Sequence, residues 1–394
     1  MIGLATLLRT SLNGEDLTSL VLRLLAMSQA DQSDAGVRMD VATILQFMGD
    51  RKNGIAMQAQ ALRICRTFLL PAKIIPARLR VLALMAPGAI NANVPLECLL
   101  EESDADLYLH YVRLGQPLPA SIPEHDVLFV AIAESQANRP YLEQLSLELV
   151  NWPRPVLNRP ENIVRVARDK VGSILEGIPG IVMPPTMRIE RDTLMGMASS
   201  GTSIHELLVG MNFPFIIRPI DSHAGRDLSK VNDGKALRSF LESVTDNSFF
   251  ISPYIDYCDA DGMFRKYRIA IVGGQPFACH MAISSHWMVH YVNAGMANCS
   301  KKRAEEARFL ATFGDDFSRR YGHSLRAIDK SVGLDYVCID CAETTDGQLL
   351  IFEIDPAMIV HACDSPNIFP YKQLHMHNIF HSFSAMLAER AVCH

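Results

Sequence analysis

The stretch GLDYVCIDCAETTDGQLLIFEIDP (333–356) constrains the fold of this chain more than any other. Asp346-Gly347 separates two apolar runs, a strong hairpin signal, because both central residues of a type I′ turn need positive φ and this pair tolerates it. Counting outward from that two-residue loop places Asp340 directly opposite Glu353. Side chains alternate along a strand, so Glu353 and Asp355 share a face with Asp340, while Phe352 and Ile354 take the other. Three carboxylates on adjacent strands repel one another unless a cation sits between them. Hard oxygen donors suit Mg²⁺, with Mn²⁺ as the second choice, carried in by a nucleotide. The competing reading is a solvated polar face with partly protonated acids, and the apolar residues around it count against that. Cys338 and Cys341 spell C-x-x-C, but residues three apart on a strand point to opposite faces. Both therefore read as core cysteines, sharing neither zinc nor a disulfide.

At 394 residues, 49% hydrophobic and 20% charged, the chain suits two or three globular domains and is too apolar to be disordered. A formal net charge of -6 offers no general attraction to phosphate backbones or anionic bilayers, which argues against nucleic acid or membrane as partner. No run approaches the roughly 18 consecutive apolar residues of a membrane span. Nine cysteines, an odd count, and a start (MIGLATLLRTSLNGED) with no cationic stretch before its apolar residues lead to the expectation of reduced thiols in a cytoplasmic setting.

Three segments follow. Residues 1–75 read as an all-α subdomain, with Asp16 and Asp34 capping apolar runs and a third helix from about Asn53 to Phe68. These Ala-rich helices resemble tetratricopeptide repeats, but no second copy appears at the spacing of about 34 residues. A packing or homodimerisation subdomain is preferred over a peptide-binding array. Residues 76–157 alternate strands (78–86, 105–112, 125–133) with helices (95–103, 139–150), which implies a small α/β layer with a parallel sheet, ending at WPRP. No G-x-G-x-x-G follows its first strand, so a dinucleotide fingerprint is absent. Residues 158–394 read as α+β, with helices over about 161–176, 233–245, 301–321 and 372–390. The last is expected at the surface, carrying His375, His377 and His381 without a role.

Within that third segment, NFPFIIRPIDSHAGRDLSKV (212–231) is an apolar strand delivering Arg218 to a loop with Ser222, His223 and Gly225, a phosphate-cradle pattern. FFISPYID (249–256) ends a strand in a nucleotide hinge. RKYRIAIVGGQPFA (265–278) reads as a hairpin turning at Gly273-Gly274, with Lys266 and Arg268 on one face. HMAISSHWMVHYVNAGM (280–296) concentrates His, Trp, Tyr and Asn. On a helix His286 and His290 would share a face as a metal pair, but no third ligand is near, and hydrogen-bonded structural histidine is the stronger competitor.

The order of these pieces over about 158–394 resembles the ATP-grasp superfamily of carboxylate-amine ligases, such as glutathione synthetase and D-Ala:D-Ala ligase. The resemblance implies an α+β ATP-grasp fold, preceded by the small α/β domain at 76–157 and the helical subdomain at 1–75. Asn158, Pro160 and Asp169-Lys170 are similar to the lead-in of the central domain, which makes Lys170 the first phosphate-binding cation. IIRP is similar to the family's VIKP strand, with Arg218 in place of lysine, and the phosphate loop becomes Ser222, His223 and Gly225. SPYI resembles the adenine hinge and implies contacts from Ser252, Tyr254 and Ile255, Ser252 replacing a usual Glu. Lys266 stands where an acid is expected, leaving the ribose partner open between Asp259 and Asp261.

The D…E-x-N metal signature becomes Asp340, Glu353 and Asp355, the last adding a negative charge where Asn is common. Arg268 would act on the transferring phosphoryl group or a substrate carboxylate. His286, Trp287, His290, Asn293 and His361 fall where the acceptor pocket is lined. The implied activity is an ATP- and Mg²⁺-dependent ligase that joins a carboxylate and an amine through an acyl phosphate. An amino acid, a peptide or a natural-product intermediate would each serve as substrate. A small-molecule kinase needs the same metal and cations and stays open, as does a non-catalytic nucleotide-sensing scaffold.

Overall fold

The computed structural model describes residues 1–200, 211–220, 222 and 225–392, the side chains of 199 and 200 excepted. His223 and Cys393 lie outside the described residues. The chain is a mixed α+β protein built on three sheets.

Four helices come first: α1 (Leu4–Leu12), α2 (Leu17–Ala30), α3 (Ala35–Phe47) and α4 (Arg51–Ile64). Aspartates set three of their starts. Asp16 accepts from the Thr18 and Ser19 N–H groups, Asp34 from Val37 and Asp50 from Asn53, each relieving donors that a helix start leaves unpaired. The sequence reading has no counterpart for α1. Phe68, expected at the end of the third helix, belongs instead to β1 (Thr67–Leu70).

β1 joins β2 (Leu79–Met85), β3 (Ala105–Tyr111), β4 (Val127–Val130) and β5 (Val156–Leu157) in a sheet ordered β1-β3-β2-β4-β5. Only β1 runs antiparallel to its neighbour; the other pairs are parallel, as the alternating strands and helices implied. The sheet thus begins before Pro76. Between its strands lie the short α5 (Leu96–Leu99) and α6 (Arg139–Glu148). The expected helix at 161–176 is broken into α7 (Pro160–Ile163), a 3₁₀ turn and α8 (Val171–Leu175), because Ala167 to Lys170 leave the helical path.

The second sheet contains β7 (Met187–Glu190), β8 (Phe215–Pro219), β9 (Ser229–Val231) and β10 (Ser248–Pro253) in the order β7-β10-β8-β9. It packs against α9 (Arg191–Ser200) and α10 (Gly234–Ser243) through Leu194, Phe215, Ile217, Leu237 and Phe249. The third sheet is ordered β12-β11-β13-β14-β6, from β6 (Ile181–Val182), β11 (Phe264–Val272), β12 (Gln275–Ser284), β13 (Tyr336–Glu343) and β14 (Leu349–Asp355). The expected helix at 301–321 is two, α11 (Ser300–Thr312) and α12 (Phe317–Val332), separated at Gly314-Asp315-Asp316.

The C-terminal α13 (Lys372–Val392) is a core helix, which corrects the surface assignment. Phe383 meets Phe129 of β4 on one side (ring centroids 5.8 Å apart) and Tyr336 of β13 on the other (5.3 Å), so α13 joins the first and third sheets in one apolar core. Asn158 ties the same layers together. Its backbone is left-handed (φ 48°), which Asn tolerates better than most residues, and its buried amide exchanges two hydrogen bonds with the Tyr336 backbone at 2.8 and 2.9 Å. Cys338 and Cys341 are fully buried in two different cores, on opposite faces of β13, as their spacing predicts. The eight described cysteines are free thiols. No described helix is long and apolar enough to cross a membrane.

Candidate functional site

The site begins with a row of residues across the third sheet. His280, Arg268, Asp340 and Glu353 lie side by side on β12, β11, β13 and β14. Asp340 does face Glu353, but the hairpin reaches this pairing by another route. Gly347 alone takes positive φ (79°), and Thr344 pairs with Gln348 across a three-residue loop. That shifts the register by one, and an extra residue near Phe352 shifts it back, since Cys341 pairs with Ile351 while Asp340 pairs with Glu353. The β-bulge brings Phe352 into the lining of the same cavity as Glu353, against the expectation that it faces away. At Gly273-Gly274 both residues do have positive φ, and the two-residue turn forms as read.

Asp340 is only 3% exposed and bound by two cations. Arg268 lies 2.8 Å from one oxygen and 3.1 Å from the other, and Lys266 Nζ lies 2.7 Å from the second. Burial alone would raise its pKa, but Arg268 and Lys266 outweigh it and hold Asp340 well below the ordinary carboxylate range. Glu353 pairs with Arg168, and against the upward push of burial the fields of Arg168 and Arg218 keep it ionised. Asp355 makes no ion pair among the described residues, and the more distant Arg168 and Arg268 do not offset its burial. It accepts the Ala357 N–H at 2.8 Å, and burial together with Glu353 pushes it up to about 7. The three acids line one cavity, yet among the described residues no group of three or more His, Cys, Asp or Glu stands ready to hold a metal ion. The protein's own cations already neutralise two of them.

That cavity, about 600 Å³, lies between the second and third sheets. At one end Ser252, Tyr254 and Ile255, just where β10 runs out, face Leu350, Ile351 and Phe352 of β14. Lys230 Nζ sits 3.4 Å above the Tyr254 ring, and Gly225 contributes backbone at φ 73°. This end is a flat apolar slot with polar edges, suited to a planar heterocycle. Asp259 and Asp261 are absent from its lining and are both bound by Arg265, at 2.6 and 2.7 Å.

Next to it a polar recess of about 50 Å³ gathers four arginines, Arg139, Arg168, Arg188 and Arg218, and four acids, Glu134, Asp169, Glu353 and Asp355, with Ser222; Arg139 pairs with Glu134 at 2.7 Å and Arg168 with Glu353. Arg218 donates to the Ser222 hydroxyl at 3.1 Å and to its carbonyl, and burial with the nearby Arg168 lowers its pKa to about 9. Sequence reasoning found Arg218 and Ser222 but missed the other three arginines, which come from α6, the break before α8, and β7. Lys170, expected as the first phosphate cation, is exposed at the start of α8 and lines neither cavity, whereas Arg168, two residues earlier, lines both and pairs with Glu353.

The larger cavity is also lined by Trp287, His290, His361 and Lys372. His286 and Asn293 are exposed and absent from the lining; residues 286–290 form a loop, so the helical face that would have aligned His286 with His290 does not exist. Asn293 instead accepts the His290 N–H at 3.1 Å. Trp287 stands edge-on to Tyr254 with centroids 5.9 Å apart, which places it against the slot. His361 Nδ1 accepts the Cys363 N–H at 3.1 Å, which leaves Nε2 of the neutral ring as a donor. Burial lowers the pKa of His280, His290 and His361.

Lys372 and Glu306, both almost fully buried, are a pair that no motif announces. Glu306 accepts from the Tyr371 hydroxyl (2.6 Å), the Tyr291 hydroxyl (3.0 Å) and the Met281 N–H (3.2 Å). Lys372 lies 3.4 Å from Glu306 and 3.0 Å from Asp364, with its Nζ 3.9 Å above the Tyr291 ring.

No protein-family model matches the chain. Among solved structures it is similar to the D-alanine–D-alanine ligase from Bacillus anthracis complexed with ATP, with 15% identity over 80% of this chain and 97% of that one and a TM-score of 0.45. It is similar to the VanG D-Ala:D-Ser ligase from Enterococcus faecalis at 12% identity, covering 78% and 99% of the two chains with a TM-score of 0.47. The RimK domain protein from Sphaerobacter thermophilus, an ATP-grasp protein by its own name, is similar at 13% identity, with 79% and 99% covered and a TM-score of 0.42.

Proposed function

We propose that this chain is an ATP-dependent ligase of the ATP-grasp type, joining a carboxylate to an amine with release of ADP and phosphate. The observation that carries the reading is that Arg268, Asp340 and Glu353 line one cleft together with Ser252, Tyr254 and Ile255 and with His290 and His361, and that Arg168, Arg218, Glu353 and Asp355 are shared with the adjoining recess. A nucleotide base in the slot, between the β10 terminus and Phe352, would extend its phosphates toward Arg168, Arg188 and Arg218. Arg139 Nε and Asp169 Oδ1 are both buried in that recess without a hydrogen-bond partner among the described residues, so it offers one unused donor to a phosphate oxygen and one unused acceptor to a cation.

A phosphoryl group passing from ATP to a substrate carboxylate keeps its charge on peripheral oxygens, so catalysis is positioning and neutralisation. Arg168 and Arg218 supply cations at that point, and Arg268, fixed by Asp340 and by its bond to the Ile359 carbonyl (3.2 Å), is held stiffly enough to orient the carboxylate. His361 Nε2 would donate to a substrate oxygen. For Mg²⁺ the donor set fits in part. Asp355, pushed to about 7 beside Glu353, is a site short of positive charge, and Glu353 with Asp355 would hold the ion once Glu353 gives up Arg168, whereas Asp340 would have to release both Lys266 and Arg268. The ion would supply Lewis-acid neutralisation of the phosphate oxygens.

ADP and phosphate release that requires both a carboxylic acid and an amine is the expected result. Glu353→Gln should keep the fold and lower turnover by orders of magnitude. Near-normal turnover in this variant at saturating Mg²⁺ would sink the reading.

A further inference from the structure

The first helix of the chain reaches the cleft. Leu8 and Leu12 of α1 line the same cavity as Arg268 and His361, although more than 250 residues separate them in sequence. Three ties hold α1 there. The Leu4 N–H donates to the Glu97 carboxylate at the start of α5. Arg9 donates to the Ala362 carbonyl at 3.3 Å and pairs with Glu101 at 2.6 Å. Ala5 and Leu8 pack with Cys98 and Cys363 in a small apolar core that includes Ile359. The loop that carries His361 is therefore clamped between α1 and the third sheet. Leu8 is consumed by this packing at 9% exposure, whereas Leu12, one turn further on, is 53% exposed. It is an apolar side chain held over a cavity.

The adjoining lining is of the same kind: Met358, Ile359 and Val360 of the loop and Met376 of α13 line the cavity together with Lys372 and His361. A chamber with one polar side and a flexible Met- and Leu-lined side selects a ligand that is polar at one end and apolar at the other. We infer that α1 is a specificity wall, and that the chamber takes a small carboxylic acid bearing an apolar group of leucine to phenylalanine size, its carboxylate toward Arg268 and His361 and its apolar group against Leu12. The inference rests on the ligase reading above for the reaction but not for the binding.

The test compares wild type with Leu12→Arg, a change at a half-exposed position that leaves Leu8 and the Arg9 ties in place. ADP release is measured with glycine, L-alanine, L-leucine, L-phenylalanine, L-glutamate and L-lysine. Since each buried methylene is worth roughly tenfold in kcat/KM, leucine and phenylalanine should exceed glycine by at least about tenfold. Leu12→Arg should erase most of that margin while the ATP dissociation constant moves less than about twofold. A preference for glycine or a charged side chain, or an unchanged profile in Leu12→Arg, overturns the inference. If no amino acid alone drives ADP release, saturation-transfer NMR on the same six compounds decides this inference separately from the ligase reading. Contact of L-phenylalanine and L-leucine with the wild-type protein that is lost in Leu12→Arg upholds it; no contact overturns it.

Discussion

Asp355 offers the sharpest test of how the site is charged. It is an acid that burial and Glu353 push up to about 7, where an unstructured chain would release the same proton near 3.8. Between those values the native state holds a proton that the unfolded state has lost, so stability falls as pH rises through that window and is flat on either side. Each tenfold difference in proton affinity is about 1.4 kcal/mol, so the gap sets a ceiling of about 4 kcal/mol for the cost of an ionised Asp355 at pH 8. Asp355→Asn removes the charge and retains an oxygen to accept the Ala357 N–H. The variant should match wild type near pH 4 and exceed it by at least about 2 kcal/mol at pH 8, read from urea denaturation at half-unit pH steps. Mg²⁺ with ATP should narrow the difference by stabilising wild type more. Stability curves that run parallel from pH 4 to 8 would refute the reasoning, because they would mean that Asp355 has found a counter-charge.

Other variants probe the two ends of the cleft. Arg218→Ala should weaken ATP binding by about 1.5–3 kcal/mol in calorimetry, with partial recovery in Arg218→Lys; an unchanged affinity would make Arg218 a structural partner of Ser222. His290→Ala should raise the apparent KM for the second substrate while the nucleotide dissociation constant shifts less than about threefold, under roughly 0.7 kcal/mol. Trp287→Ala, through its edge contact with Tyr254, should move both, and a shift confined to substrate handling would contradict that contact. Glu306→Ala leaves the buried Tyr371 hydroxyl and the Met281 N–H without their acceptor and Lys372 with Asp364 as its remaining carboxylate, and should cost about 1–3 kcal/mol of stability in urea denaturation; no measurable loss would refute the accounting.

The hairpin shows what a sequence can and cannot disclose. Period-two alternation and Asp-Gly identify both strands and bring Asp340 opposite Glu353, but two one-residue errors cancel on the way: a longer loop and a bulge. Neither is written in local propensity. The loop is extended by Thr344, whose hydroxyl accepts the Gln348 N–H at 2.9 Å and lies 3.3 Å from the Gln348 carbonyl, a side-chain preference that competes with the tighter turn. Where no such competitor exists, at Gly273-Gly274, the two-residue reading holds. His286 and His290 show the converse: spacing by four implies neighbours only on a helix, and residues 286–290 form a loop, so the shared face set aside in favour of structural histidine is absent.

The arginine recess was illegible for a more general cause. Arg139, Arg168 and Arg188 come from three separate elements, one of them in the α/β layer ahead of the third segment, and each is an ordinary charged residue in its own neighbourhood. Motif reading works where chemistry is local to a strand or a loop, as with Arg218 and Ser222, four residues apart. A phosphate-sized cluster assembled across layers leaves only a count, and the chain has 37 lysines and arginines to choose from. Lys170 drew attention because it follows Asp169 in a suggestive pair, yet the chain turns there so that Arg168 points inward to Glu353. The same logic explains α1: an unremarkable nine-residue helix becomes part of the cleft because α13, packed between two sheets, and the clamped 357–364 loop bring the far end of the chain to it.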